Sequence, residues 1–125
     1  MTSPVLDRAL EIVEVTTIDE ILEAGQGLAV FTPGEWEFAF TKSDPARRLA
    51  ARYAAKRAAA RLLGVTHSLV EIEVVRSPGR PPHIELHGEA RERLAARGGG
   101  RPIVSLTHSR RHAAALVLLL PDEPA

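Results

Sequence analysis

The sequence predicts an α+β fold in which mostly antiparallel strands surround one long helix. The run from Arg47 to Gly64 consists of strong helix formers without an internal glycine or proline, which predicts that helix. Alternating apolar residues from Leu69 to Val75, followed by a proline- and glycine-rich turn, predict a strand that opens a hairpin. The chain of 125 residues has no internal repeat and no linker, so residues 1–125 are expected to form a single domain.

The N-terminal part is predicted to begin with a strand and a short helix. The segment from Leu10 to Val15 alternates apolar residues with Glu11 and Glu14, which predicts a strand with carboxylates near its end. Thr16 or Thr17 is expected to cap the short helix, which closes at the next glycine.

A second short helix has the pattern of a capping box. Thr32 is the expected N-cap, Pro33 takes the first helical position, and Glu35 takes the position that returns a hydrogen bond. This helix is expected to direct three aromatic residues into the core, namely Trp36, Phe38 and Phe40. Ser43 or Asp44 is then expected to cap the long helix.

The C-terminal half is predicted to complete the hairpin and add two further strands. His83–Leu86 is the returning strand, and Glu89–Arg97 is a helix that ends in three glycines. Two apolar strands follow, Ile103–Thr107 and Ala113–Leu120, and they flank the polar turn at residues 108–112.

The long helix carries cations in rows at i, i+4 spacing, with no acid between Arg47 and Arg61 to compensate them. This pattern predicts acidic side chains from elsewhere in the fold, or a polyanionic ligand. A solvated basic helix face is the alternative.

Composition excludes several classes of function. The 16 basic and 16 acidic residues balance, and aromatics are few, which argues against nucleic-acid binding. No apolar run approaches the ~20 residues that a membrane span requires. The absence of cysteine and of a secretory signal pattern leads us to expect a cytoplasmic location.

Three places could carry chemistry, and each has an ordinary alternative. His108, in a polar turn between two strands, is a candidate acid or base, or a turn histidine without a role. Glu11 and Glu14 could bind a hard cation or pair with Arg or Lys. The Gly79–Pro81 segment could approach a phosphate or be an ordinary turn. Four other histidines have weaker claims, because nothing spaces them as metal ligands; they are His67, His83, His87 and His112.

Five segments occur in the order expected of one protein family: Glu11–Glu14, Phe31–Thr32 with Glu35, Ala51–Lys56, Gly79–Pro81 and Val104–Ser109. Together they resemble the holo-[acyl-carrier-protein] synthases, the small phosphopantetheinyl transferases, from about Leu10 to about Leu120. The resemblance implies a compact α+β subunit with the phosphopantetheinyl transferase-like fold. It also implies assembly as a homotrimer, with coenzyme A in clefts between neighbours.

The resemblance further implies an activity. Members of the family bind the diphosphate of coenzyme A with Mg²⁺ and pass its phosphopantetheine arm to a serine of an acyl carrier protein. Seven residues match the family pattern by position and would line the coenzyme site: Arg52, Lys56, Gly79, Arg80, Pro81, Ser105 and His108. Arg47 or Arg48 would stand in for a family arginine slightly upstream.

The chain departs from the family pattern at the metal. The family's metal-binding aspartate is Glu11 here, its second ligand is Arg57, and a lysine four residues further on is Arg61. Arg57 has only donor groups and is always protonated, so it cannot ligate Mg²⁺. We therefore hypothesise that the Arg57 guanidinium pairs with Glu11 in the metal's place, and we expect no metal ligands. The expected catalytic residues are Glu11, Arg57, Arg61 and His108.

Three functions follow as alternatives. The first is a transferase in which Arg57 and Arg61 neutralise the diphosphate, while Glu11 or His108 takes the serine proton. The second is a non-catalytic relative that keeps the assembly and acts as a scaffold or binding subunit. The third is an enzyme that acts on a carrier-bound acyl chain. In all three alternatives we expect weakened docking of an acidic carrier protein, because the usual docking arginine of the family is Thr17 here.

Overall fold

The computed structural model describes residues 5–122. The strands and helices are, in chain order, β1 (Asp7–Glu14), α1 (Thr16–Glu23), α2 (Gly27–Val30), α3 (Pro33–Phe40), α4 (Pro45–Leu63), β2 (Ile72–Val75), β3 (His83–Leu86), α5 (Gly88–Ala96), β4 (Arg101–His108) and β5 (His112–Leu120). One antiparallel sheet has the order β1–β5–β4, and β2 and β3 form a separate antiparallel hairpin. The predicted α+β architecture is confirmed.

The long helix α4 is the centre of the core. Pro45 opens it at the first helical position, and Gly64 ends it in the left-handed region at φ 72°. Seven of its eight alanines are buried, and β5 meets the helix with Ala113 and Ala115, which are also buried. Small side chains on both surfaces let helix and sheet approach closely, so the backbone of α4 has a fixed place relative to β1 and β4.

The three-stranded sheet has two different faces because side chains alternate along each strand. Residues of β5 such as Val117 and Leu119 are buried toward α4. On the outer face, Leu10 is opposite Leu116 in the register, and Ile12 is opposite Ala114. Leu10 is 56% exposed and Ile12 is 64% exposed, so this face is apolar and uncovered in the single chain.

Two capping predictions need correction. Val15, not Thr16 or Thr17, is the N-cap of α1, and no side chain caps that helix. Val15 already has helical dihedrals because its N–H is held by the carbonyl of Arg111 at 2.8 Å. Asp44 is the N-cap of α4, as one of the two alternatives predicted, but its carboxylate pairs with Arg47 at 3.3 Å instead of capping.

The capping box of α3 is confirmed in both directions. Thr32 Oγ1 accepts from the N–H of Glu35 at 3.1 Å, and Glu35 Oε1 accepts from the N–H of Thr32 at 2.9 Å. The aromatic prediction for this helix is only partly correct. Phe40 is 54% exposed and contacts Trp36, with ring centroids 4.8 Å apart, at the surface end of the helix.

Two predicted strand boundaries also differ. Leu69–Glu71 is a 3₁₀ turn, and the strand begins only at Ile72. The carbonyls of Leu69 and Ile72 both accept from Lys56 Nζ, so they do not serve a strand ladder there. His108 is the last residue of β4, paired with Ala113, since the hairpin closes by a tight bond from Ser109 N–H to the carbonyl of His112 at 2.7 Å.

The start of α5 is held by a side chain of the 3₁₀ turn. Glu71 accepts from the N–H of Glu89 with both carboxylate oxygens, each at 3.2 Å, which anchors the start of α5 to the 3₁₀ turn.

Within residues 5–122, none of the helices is both long enough and apolar enough to cross a membrane.

Candidate functional site

The cations of α4 fall into two groups that face different strands. Arg57 and Arg61 lie on the C-terminal half beside β1, whereas Arg48 and Arg52 lie on the N-terminal half near the end of β4. Arg61 is thirteen positions after Arg48, which corresponds to about 20 Å along the helix axis. We treat the two groups as separate parts of one candidate site.

The first group is a cluster of Glu11, Arg57 and Arg61, called the arginine–glutamate cluster below. Arg57 Nε lies 3.0 Å from Glu11 Oε1, and a guanidinium nitrogen of Arg61 bonds to Glu11 Oε2. Arg61 also donates to the carbonyl of Leu10 at 3.2 Å. The pairing of Glu11 with Arg57, which was expected from the departures from the family pattern, is therefore present, and Arg61 takes the second carboxylate oxygen.

Tyr53 is the aromatic neighbour of Arg57 on α4. The guanidinium carbon of Arg57 lies 5.7 Å from the centre of the Tyr53 ring. The neighbouring Tyr53 hydroxyl raises the pKa of Arg57, burial opposes this shift, and Glu11 adds a smaller raising effect. Arg57 therefore stays charged, and the three side chains of the cluster sum to a net charge of about +1.

Mg²⁺, which the family resemblance implies, does not fit the arginine–glutamate cluster. Mg²⁺ requires octahedral oxygen ligands, but each oxygen of Glu11 already accepts from a guanidinium. Arg57 and Arg61 offer no lone pairs to a metal. Their charges also repel a dication, by about 3 kcal/mol per pair of unit charges at ~5 Å and an effective dielectric near 20, before solvent screening reduces this figure.

Arg48, of the second group, lines a cavity of about 480 Å³, called the cationic pocket below. Its walls come from the end of α3, the start of α4 and the hairpin turn, and its lining residues are Phe38, Lys42, Arg48, Arg76, Ser77, Pro78 and Gly79. Arg52 lies behind this wall with its guanidinium carbon 4.4 Å from the centre of the Phe38 ring. Three cations thus line one concave surface, and a fourth lies behind it.

Two arginine side chains at or beside the cationic pocket have a donor without a partner. The Nε atoms of Arg48 and Arg52 are buried without a hydrogen-bond partner among the described residues. Burial lowers the pKa of Arg52 to about 10; the charge of Glu35 opposes this shift, and the charges of Arg76 and Arg48 contribute to it. A buried donor without a partner costs about 1–3 kcal/mol, which an anion accepting from these groups would recover.

His108 lies near the arginines at the start of α4 and outside the arginine–glutamate cluster. It lines a small cavity at the β4–β5 turn and not the cationic pocket itself. Its Nδ1 atom is buried without a hydrogen-bond partner in the described part of the chain. Burial, followed by the charges of Arg48 and Arg47, lowers the pKa of His108, while Asp44 opposes the shift. The imidazole is therefore neutral near pH 7 and able to accept a proton.

The structure does not bring Glu11 and His108 together. They lie on β1 and β4, which flank β5 on opposite sides, and they are offset by two residues in the register. Strand spacing and rise place their backbones about 12 Å apart within one chain. The four residues predicted to be catalytic are thus divided between the two groups.

The predicted turn residues lie beside the cationic pocket. Gly79 has φ 72°, which favours glycine, and the N–H of Arg80 closes the turn onto the carbonyl of Ser77 at 3.1 Å. Arg80 and Pro81 line a neighbouring cavity of about 530 Å³ between the hairpin and β4. Ser105 lies on the outer face of the sheet, because it alternates with Leu106 and His108 along β4.

Lys56 makes only internal contacts in the single chain. Its side chain is 0% exposed, and Nζ lies 2.6 Å from Glu35 Oε1, 2.7 Å from the carbonyl of Ile72 and 3.2 Å from that of Leu69. The three hydrogens of the ammonium group thus have three acceptors. Burial lowers the pKa of Lys56, and the adjacent carboxylate of Glu35 opposes that shift.

Sequence reasoning missed several residues of the site. Phe38, Lys42 and Arg76 line the cationic pocket but were not among the candidates. The available signal was Arg76, a cation directly before the Ser77–Gly79 turn, at the place where a hairpin end projects beyond the sheet. Glu35 was assigned only to the capping box, although its second oxygen accepts from the N–H of Val74 at 2.8 Å.

Comparisons with known proteins agree on one family. No protein-family model matches the chain. The chain is similar to the holo-[acyl-carrier-protein] synthase of Moorella thermoacetica, with 34% identity over 91% of this chain and 93% of the relative. The corresponding protein of Carboxydothermus hydrogenoformans is 36% identical over 90% of this chain and 96% of its own length.

Solved structures give the same result. The acyl carrier protein synthase of Mycobacterium tuberculosis superposes with a TM-score of 0.72 and 30% identity, over 95% of this chain and all of that one. The complex of the Chronobacterium ammoniagenes synthase with coenzyme A superposes with a TM-score of 0.78 and 25% identity, over 94% and 98% of the two chains. The chain therefore belongs to the holo-[acyl-carrier-protein] synthase family of phosphopantetheinyl transferases.

Proposed function

We propose that this chain binds coenzyme A, or a phosphopantetheine-linked group, through the cations of α4 and without Mg²⁺. The observation that carries the proposal is the cationic pocket, which is lined by Lys42, Arg48 and Arg76. Beside it, the Nε atoms of Arg48 and Arg52 are buried without a hydrogen-bond partner among the described residues. Coenzyme A is a polyanion, and guanidinium groups bind phosphate oxygens with strong charge-assisted hydrogen bonds. The similar Chronobacterium synthase forms a complex with coenzyme A, which supports this choice of ligand.

In this proposal the arginine–glutamate cluster binds the diphosphate directly. Arg57 and Arg61 have side chains that are 49% and 61% exposed, so donors not used by Glu11 remain accessible. Each guanidinium carries five N–H donors and each gives only part of them to Glu11. The net charge of about +1 attracts a phosphate, whereas it repels a divalent cation.

The transfer reaction assigned to this site breaks one bond and forms one bond. The serine oxygen of a carrier protein attacks the phosphorus that bears the pantetheine arm, and adenosine 3′,5′-bisphosphate leaves with the bridging oxygen. The serine proton passes to Glu11 or His108. Loss of a divalent Lewis acid removes several kcal/mol of transition-state stabilisation, so we expect turnover to be slow.

A non-catalytic relative that only binds coenzyme A is the second candidate. The observation in its favour is that both oxygens of Glu11 are held by guanidinium groups. A carboxylate in two ion pairs is a weak base, because protonation would remove both pairs. An assay of transfer to an acyl carrier protein, with and without Mg²⁺, separates the two candidates.

The proposed assembly is a homotrimer that uses the outer face of the three-stranded sheet. Leu10, Ile12, Leu116 and Ile103 are exposed on this face, and contiguous exposed apolar surface marks interaction sites. We expect Ile12→Asp to convert the assembly to monomers in sedimentation velocity, while Leu28→Asp, at an exposed position on α2, leaves it intact. A wild-type chain that sediments as a monomer would refute the assembly.

Thermal unfolding with coenzyme A tests the binding proposal. Coenzyme A at 100 times its Kd should stabilise the wild-type chain by about 2.7 kcal/mol. Arg48→Ala should weaken binding about tenfold, because it removes a charged donor worth about 1.5 kcal/mol or more. Arg91→Ala, which removes an exposed cation on α5, serves as the matched control. If coenzyme A raised the unfolding temperature of Arg48→Ala as much as that of the wild type, the cationic pocket would be ruled out as the site.

A further inference from the structure

The hairpin of β2 and β3 collects four potential metal ligands on one face. His83, Glu85 and His87 occupy alternate positions, and the pairing continues beyond β3 because the N–H of His87 bonds to the carbonyl of Glu71 at 2.8 Å. Alternation therefore places all three side chains on the face opposite the buried Ile84. Glu73 is directly opposite Glu85 in the register and shares this face.

Their ligand atoms lie close together. One oxygen of Glu73, one oxygen of Glu85 and one nitrogen of His87 all lie within 4.8 Å of one another. Glu73 Oε1 is 3.0 Å from His87 Nε2, and His83 Nε2 is 2.8 Å from Glu85 Oε2. Ligands of a tetrahedral zinc ion are about 3.4 Å apart, so rotation of the half-exposed Glu85 side chain suffices to complete the set.

Two further observations point to a bound cation. Carboxylates directly opposite each other in an antiparallel pair repel, and the histidines beside Glu73 and Glu85 compensate that charge only when protonated. Thr32 Oγ1 donates to Glu73 Oε2 at 2.9 Å and orients the carboxylate so that Oε1 faces the cluster. Such outer-shell hydrogen bonds accompany metal ligands in proteins.

We propose that Glu73, Glu85 and His87, with His83 beside them, form a binding site for a divalent transition-metal ion of the zinc type. The mixed imidazole and carboxylate donors match Zn²⁺ and related ions, whereas Mg²⁺ prefers an all-oxygen octahedron. The site is distinct from the arginine–glutamate cluster, whose residues lie on β1 and α4. It neither requires nor replaces the coenzyme A binding proposed above.

Calorimetric titration of the full chain with ZnCl₂, without coenzyme A, tests the site. We expect one ion per chain, with binding reduced by about tenfold or more in His87→Ala and in Glu85→Gln. His67→Ala, at an exposed histidine outside the cluster, is the control and should bind like the wild type. Co²⁺ should give the intense visible absorption of a tetrahedral ion, and His87→Ala should lose it.

Two outcomes would overturn the site. Either no Zn²⁺ binding to the wild type, or equal affinity in the wild type, His87→Ala and Glu85→Gln, excludes it. Thermal unfolding of each variant checks that the chain remains folded. Coenzyme A binding is measured separately on the same variants, so failure of the metal site does not bear on that function.

Discussion

Replacing Lys56 with methionine is expected to lower the free energy of unfolding by about 3–5 kcal/mol, because it leaves a buried carboxylate without its counter-charge. Glu35 and Lys56 both have side chains that are 0% exposed, and their charged atoms are 2.6 Å apart. The pair joins α3, α4 and β2, since Glu35 Oε2 also accepts from the N–H of Val74. Urea unfolding followed by circular dichroism measures the loss.

The double variant Glu35→Gln, Lys56→Met distinguishes the cost of an unpaired buried charge from the cost of changed side-chain packing. With no buried charge left, it should be more stable than Lys56→Met alone. Lys42→Met, which removes an exposed lysine, is the control and should change stability by about 0.5 kcal/mol or less. If Lys56→Met had the same free energy of unfolding as the wild type, the buried pair would not hold these three elements together.

Replacing Arg57 with glutamate is expected to create a Mg²⁺ site that the wild-type chain lacks. The change places a second carboxylate beside Glu11 and removes a guanidinium from one of its oxygens. Reversing one charge near a dication changes the electrostatic energy by several kcal/mol even after screening, which corresponds to roughly a hundredfold or more in affinity. Calorimetry with MgCl₂ measures the gain.

Two controls accompany Arg57→Glu. Arg93→Glu makes the same change of net charge on α5, away from Glu11, and should gain no Mg²⁺ binding. Arg57→Gln removes the cation without adding a ligand and should gain little. If Arg93→Glu bound Mg²⁺ as well as Arg57→Glu did, the gain would reflect net charge and not a site at Glu11.

The elements with strong periodicity could be predicted from the sequence. The long helix follows from a run of helix formers between Pro45 and Gly64, and the two hairpins follow from alternating apolar residues. The Glu11–Arg57 pair could be predicted from the family resemblance, because the two residues stand at the family's two metal-ligand positions and have opposite charges. The cationic helix alone indicated only that acids would come from another element. The helix and the hairpins depend on local pattern, which a single sequence displays.

The rest depends on how distant segments meet. Glu35 and Lys56 are separated along the chain, and nothing local in a capping box indicates that its glutamate will also bind a buried lysine. The 3₁₀ turn at Leu69–Glu71 arises from the same lysine. The four proposed metal ligands of the hairpin come together only through the strand register, which places Glu73 opposite Glu85.

The most direct measurement of the central claim is calorimetric titration of MgCl₂ into the His87→Ala chain, in which the hairpin site is removed and the arginine–glutamate cluster is intact. The account predicts no binding of Mg²⁺ in the micromolar range, because Arg57 and Arg61 occupy both oxygens of Glu11. One Mg²⁺ per chain bound at micromolar concentration, and lost in Glu11→Gln, would contradict it.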